Sequence, residues 1–113
     1  KYLMLILYLW VDTPRTWPRL YRILEEIEHH ILGVQVHKKD FCTKSKRELF
    51  KMCANSAAIA GRDARHAGGK QGPPPPPKPM SLNEAVQFIN DIIHKSIKLV
   101  KENQHEIDQK EEL

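Results

Sequence analysis

The sequence predicts an all-α fold, a small four-helix bundle with a long Gly/Pro-rich surface loop before the last helix. Three observations predict it. Apolar residues recur at spacings of three and four through most of the chain, which suits the 3.6-residue turn of a helix rather than the two-residue repeat of a strand. Ser-x-x-Glu capping signatures and glycine stop signals bracket these runs. At 113 residues, 41% apolar and 28% charged, the chain lies in the globular range and is long enough for one core.

The elements follow in order. Residues 2–11 are apolar on every side and rich in Leu, which predicts a first helix buried all round. The run is about half the length of a bilayer span, so no membrane span is expected. Lys1 followed by such a run resembles a signal-peptide core, but no small-residue cleavage site follows it, and the start at Lys1 suggests that something upstream has been lost. Asp12 and Thr13 before Pro14 mark a stop and a new N-cap. Trp17, Leu20, Leu24, Ile27 and Ile31 then share one stripe, predicting a helix over 14–32 that ends at Gly33, with Pro18 in its first turn or kinking it if the helix begins near Thr13. Residues 34–44 read as a loop with one short extended piece at Val34 and Val36. Ser45 and Glu48 stand at capping-box spacing, and Leu49, Phe50, Cys53, Ala57 and Ala60 continue a helical face, predicting a helix over 46–60.

The stretch 61–80 is the loop, with Gly68, Gly69 and Gly72 ahead of the pentaproline Pro73 to Pro77. Lys70 and Lys78 flank the prolines, which fits a polyproline ligand for aromatic grooves and equally a stiff polyproline spacer. Ser81 and Glu84 make a second capping box, and Val86, Ile89, Ile93, Ile97 and Val100 predict a helix over 82–102. Residues 1–102 form one domain, and the acidic residues of 103–113 predict a frayed, charged tail.

The formal net charge is +4, but 1–100 carry +7 and 101–113 carry −3. A basic body favours phosphate-bearing partners or anionic membrane. Arg15, Arg19 and Arg22 line the start of the second helix, where positive charge opposes the macrodipole. Lys44, Lys46 and Arg47 open the third and extend a basic run from Lys38 and Lys39. These six are the candidate nucleic-acid-binding residues; the competing account is a solvated face partly neutralised by Glu25 and Glu26.

Catalytic chemistry centres on Arg62, Arg65 and His66. Arginine offers a permanent charge and a bidentate fork for phosphate, and a nearby histidine can move a proton near neutral pH. Together they suit metal-independent RNA cleavage, with His66 as general base on a ribose 2′-hydroxyl or general acid on the leaving oxygen. The alternative is a helix C-terminus whose basic residues complement the dipole, with Asp63 paired to an arginine. Cys42 and Cys53 do not make a disulfide framework, which points to a cytoplasmic chain with reduced thiols. With His37 or His66 they lack metal-ligand spacing, and His29 and His30 point about 100° apart on a helix. No metal or cofactor is expected. Ser45 and Ser81 are accounted for as caps, and no nucleophile elbow or phosphate-binding glycine loop occurs.

From Phe50 to Val100, a helix ending in an Asn/Arg/His cluster is followed by a loop and a capped helix opening Pro-Met-Ser-Leu-Asn-Glu-Ala. This resembles the closing half of the higher-eukaryote and prokaryote nucleotide-binding (HEPN) superfamily of helical bundles. The string Ala54-Asn55-Ser56, Gly61, Ala64-Arg65-His66 and Pro79-Met80-Ser81-Leu82 also resembles a set of small bacterial proteins. Superfamily members that cleave RNA carry Arg, four to six residues, then His; here Arg62 and His66 enclose three, with Asp63 in the polar position. The resemblance implies RNA or another phosphate-bearing ligand, and a bacterial defence or toxin setting. A non-catalytic interaction module, dimerising through helix faces, is the rival.

Overall fold

The computed structural model describes residues 2–12, 14–56, 60 and 76–112. They are all-α, with no strand among the described residues. Helix α1 spans Tyr2–Val11, α2 Trp17–Glu26, α3 Lys44–Asn55 and α4 Leu82–Glu112. A π-helical turn over Ile27–Leu32 prolongs α2, and a 3-10 turn over Val36–Lys39 precedes α3. The loop predicted at 61–80 lies outside the described residues except for 76–80, of which Pro77, Lys78 and Pro79 are exposed and Met80 is buried.

Expectations and structure part at three helix ends, in one connecting segment and along one helix. Helix α2 starts at Trp17 because Thr16, in extended backbone, supplies the cap: its hydroxyl accepts the Arg19 N–H at 3.4 Å, with Pro18 in the first turn. The predicted extended piece at Val34 and Val36 does not form: Val34 lies exposed in a bend, and the buried Val36 opens a turn of 3-10 helix. Helix α3 is capped by Thr43, not Ser45: the Thr43 hydroxyl accepts the Lys46 N–H at 3.1 Å, while Glu48 takes Arg47 instead of closing a box. Helix α4 continues ten residues past 102, with every side chain from Lys101 to Lys110 exposed. Its 31 residues make a rod of about 46 Å at 1.5 Å per residue, most of the molecule's 57 Å long axis.

The capping box at α4 forms as the sequence predicts. Ser81 Oγ accepts the Glu84 N–H and a Glu84 carboxylate oxygen accepts the Ser81 N–H, both at 3.1 Å. That bond to the Ser81 N–H holds the Glu84 carboxyl below its ordinary range. Met80 N–H donates to Cys53 Sγ at 3.3 Å and ties the entry of α4 to α3.

Phe50 is the centre of the core. Its ring lies 6.0 Å from Trp17, 6.2 Å from Tyr21 and 5.3 Å from Phe88, joining α2, α3 and α4. Leu20, Leu24 and Ile27 from the predicted stripe, and Ala85, Ile89, Ile92 and Ile93 of α4, are buried in the same core. Helix α1 packs on α2 and the π turn. It is not buried all round: Ile6 and Leu9 face inward, but Met4, Tyr8 and Val11 are 69, 68 and 65% exposed. A helix that lies on the outside of a domain has an outer face whatever its composition, so an all-apolar run does not by itself place it in the centre.

Candidate phosphate-facing surface

Arg62, Arg65 and His66 lie outside the described residues, so the geometry of the proposed catalytic cluster is not described. The six candidate nucleic-acid-binding residues are described, and they divide by what each cation touches.

On α2 and just before it the arginines are held locally, Arg15 preceding the helix rather than lying on it. The Arg15 guanidinium lies 3.9 Å from the centroid of the Trp10 ring and its Nε donates to the Trp10 carbonyl at 2.9 Å. Arg19 Nη1 donates to Asp12 at 2.9 Å and reaches the Leu9 carbonyl at 3.5 Å. Arg22 Nε stands 3.9 Å from Glu26, an i,i+4 approach on an exposed face. Arg15 and Arg19 thus clamp the end of α1 to α2.

Arg47 is an internal group, 4% exposed. Its Nε and Nη2 donate to the two oxygens of Glu28 at 2.8 Å each, and its Nη1 donates to Glu48 at 2.8 Å. Glu28 also accepts the Val36 N–H at 2.8 Å, so one carboxylate joins the π turn, the 3-10 turn and α3. Burial pushes the Glu28 carboxyl up, but the bonds from Arg47 and the Val36 N–H and the charge of Arg47 together outweigh it and hold it below its ordinary range. The bond to Glu28 raises Arg47 in turn, against its own burial. Sequence reasoning missed Glu28. The π turn shifts the helical register, so the spacing of Glu28 from the apolar stripe carries no sign that it faces inward.

Lys44 and Lys46 are the opposite case. Both are exposed in the first turn of α3, which contains no acid, and among the described residues neither has a carboxylate within ion-pair distance. Lys46 Nζ lies 5.7 Å from the centroid of Phe88, and Lys38 and Lys39 are exposed on the neighbouring 3-10 turn. Across from them Lys95 Nζ donates to the Phe41 carbonyl at 2.6 Å. Burial raises the Cys42 thiol in this region, against the charges of Lys95 and Arg47.

Elsewhere charge cancels. A groove of about 640 Å³ on α4 passes His94, Lys98 and Lys101, but Glu102 and Glu106 line it as well. A cleft of about 190 Å³ between α2 and α3 holds Glu25 and Glu28 beside Arg47 and Lys51. No group of three metal-ligating side chains converges among the described residues; the Cys53 sulfur is buried on the Met80 N–H, and Cys42 is half-buried. No described helix is long and apolar enough to cross a membrane. Compared with known proteins, the chain matches no family model, no curated protein and no solved structure.

Proposed function

We propose that the chain is a small four-helix bundle of HEPN-like type that binds RNA or another phosphate-bearing ligand in the bacterial cytoplasm, in a defence or toxin setting. The observation that supports this reading is the set of exposed lysines at Lys38, Lys39, Lys44 and Lys46 on the 3-10 turn and the first turn of α3, none of which has a carboxylate within ion-pair distance among the described residues. Positive charge at a helix N-terminus costs stability rather than adding it, so its concentration there fits attraction of an anion. Arg62, Arg65 and His66 supply the chemistry in this account: the arginines take the phosphate and His66 moves the proton of a metal-independent endoribonuclease.

The test is RNA binding and cleavage by wild type, His66→Ala and Arg65→Ala. Cleavage lost in both variants, with binding retained in His66→Ala, is the expected result. Unchanged behaviour in both removes the site assignment.

The second reading is a non-catalytic interaction module, a homodimer among its forms. It draws on the outer face of α1, where Met4, Tyr8 and Val11 stand exposed at i, i+4 and i+7. Sedimentation of wild type against Tyr8→Lys separates the two: an assembly that dissociates in the variant while RNA binding is absent favours the module.

A further inference from the structure

His30 sits where α1 meets the π turn. The Tyr2 ring stacks on its imidazole with centroids 4.0 Å apart and planes 6° from parallel. His30 Nε2 lies 3.3 Å from Glu26, whose other oxygen is 3.9 Å from Arg22. The His29 ring is 6.2 Å away. Among the described residues the titratable and charged groups around the imidazole are Tyr2 from α1, Glu26 from α2 with Arg22 on its other oxygen, and His29 beside it. Helix α1 has no charged side chain of its own from Tyr2 to Val11, and only Ile6 and Leu9 are buried.

We propose that the Tyr2–His30 stack makes the docking of α1 proton-sensitive, with imidazolium holding the start of the helix more tightly than neutral imidazole. A cation over an aromatic face is attracted by the ring quadrupole, and histidine is the side chain that gains this charge near neutral pH. Glu26 belongs to the same continuous helical segment as His30, so it accompanies the imidazole whether or not α1 is docked. Among the described residues around the imidazole, Tyr2 is the one that belongs to α1, so the stack couples protonation to docking. His30 keeps access to water in the docked form, which limits the desolvation that would oppose the effect.

The experiment is amide hydrogen exchange of the intact chain at about pH 8 and about pH 5.5, spanning the ordinary histidine range. Protection of the hydrogen-bonded amides of α1 is corrected for intrinsic exchange and taken relative to α4. Wild type and His29→Gln should gain about two- to fivefold in relative protection at the lower pH, the range of an exposed cation–π contact. His30→Gln and Tyr2→Leu should show no gain. Equal protection at both pH values in wild type overturns the proposal, and so does a gain that persists in His30→Gln or Tyr2→Leu. Each substitution is at a partly exposed side chain, so the fold survives to be measured.

Discussion

Arg47 and Lys44 stand three residues apart on one helix, and both belong to the same basic run, yet one is part of the core and the other is free charge. Arg47 is buried on Glu28 and Glu48. Lys44 faces water with no carboxylate within ion-pair distance among the described residues. Arg15, just before α2, and the arginines on it fall on the side of Arg47 to differing degrees, since Arg15 and Arg19 hold α1 and Arg22 approaches Glu26. A count of cations therefore overstates what a ligand could meet. Charge bound within the fold contributes to stability, and charge left over is what remains for a partner.

Substitution at the two kinds of site should separate these roles. Arg47→Ala leaves the partly buried Glu28 without its partner and should lower unfolding free energy by about 3 kcal/mol, the lower end for a buried pair, whereas Arg22→Ala should cost less than about 0.5 kcal/mol in the same urea titration. Similar losses in both would erase the contrast. Glu28→Gln comes next, at about 1.5–3 kcal/mol for its charge-assisted bonds. Its pH dependence has a defined sign. Because the folded carboxyl is held below its ordinary range, its contribution is present above the unfolded value of about 4.3 and is lost as pH falls through the depressed folded value. Wild type should therefore lose stability in acid more steeply than Glu28→Gln.

Most of the architecture was legible, and the reasons it was not always so are local. The stripe from Trp17 to Ile27 and the Ser81–Glu84 box are determined by near neighbours, so spacing alone revealed them. The cap of α3 was misplaced because Ser45 and Glu48 satisfy the same spacing rule; the choice fell to Thr43 once Glu48 was drawn to Arg47. Thr43→Ala should accordingly cost about 1 kcal/mol and Ser45→Ala much less. Glu28 and the Tyr2–His30 stack depend on contacts between distant parts of the chain and on a π turn that no periodicity announced. For the site, the basic run was visible but its division into bound and free charge was not, since pairing across 19 residues leaves no trace in spacing. Arg62, Arg65 and His66 remain an expectation from the sequence.

The smallest effect on stability has an informative sign. Lys44→Glu places an acid where the α3 macrodipole favours one and should stabilise the protein by about 0.3–1 kcal/mol. If the lysine is kept for a ligand, that gain should come with weaker binding. A variant that is both more stable and an equal binder would argue that Lys44 is merely solvated.

The salt dependence of RNA binding tests the central claim most directly, with wild type compared against the Lys44→Glu/Lys46→Glu double variant. The account predicts that log K falls linearly with log salt for wild type, and that the slope shrinks by about 0.7 for each phosphate contact removed. Binding that is absent, insensitive to salt, or identical in slope between the two proteins would contradict it.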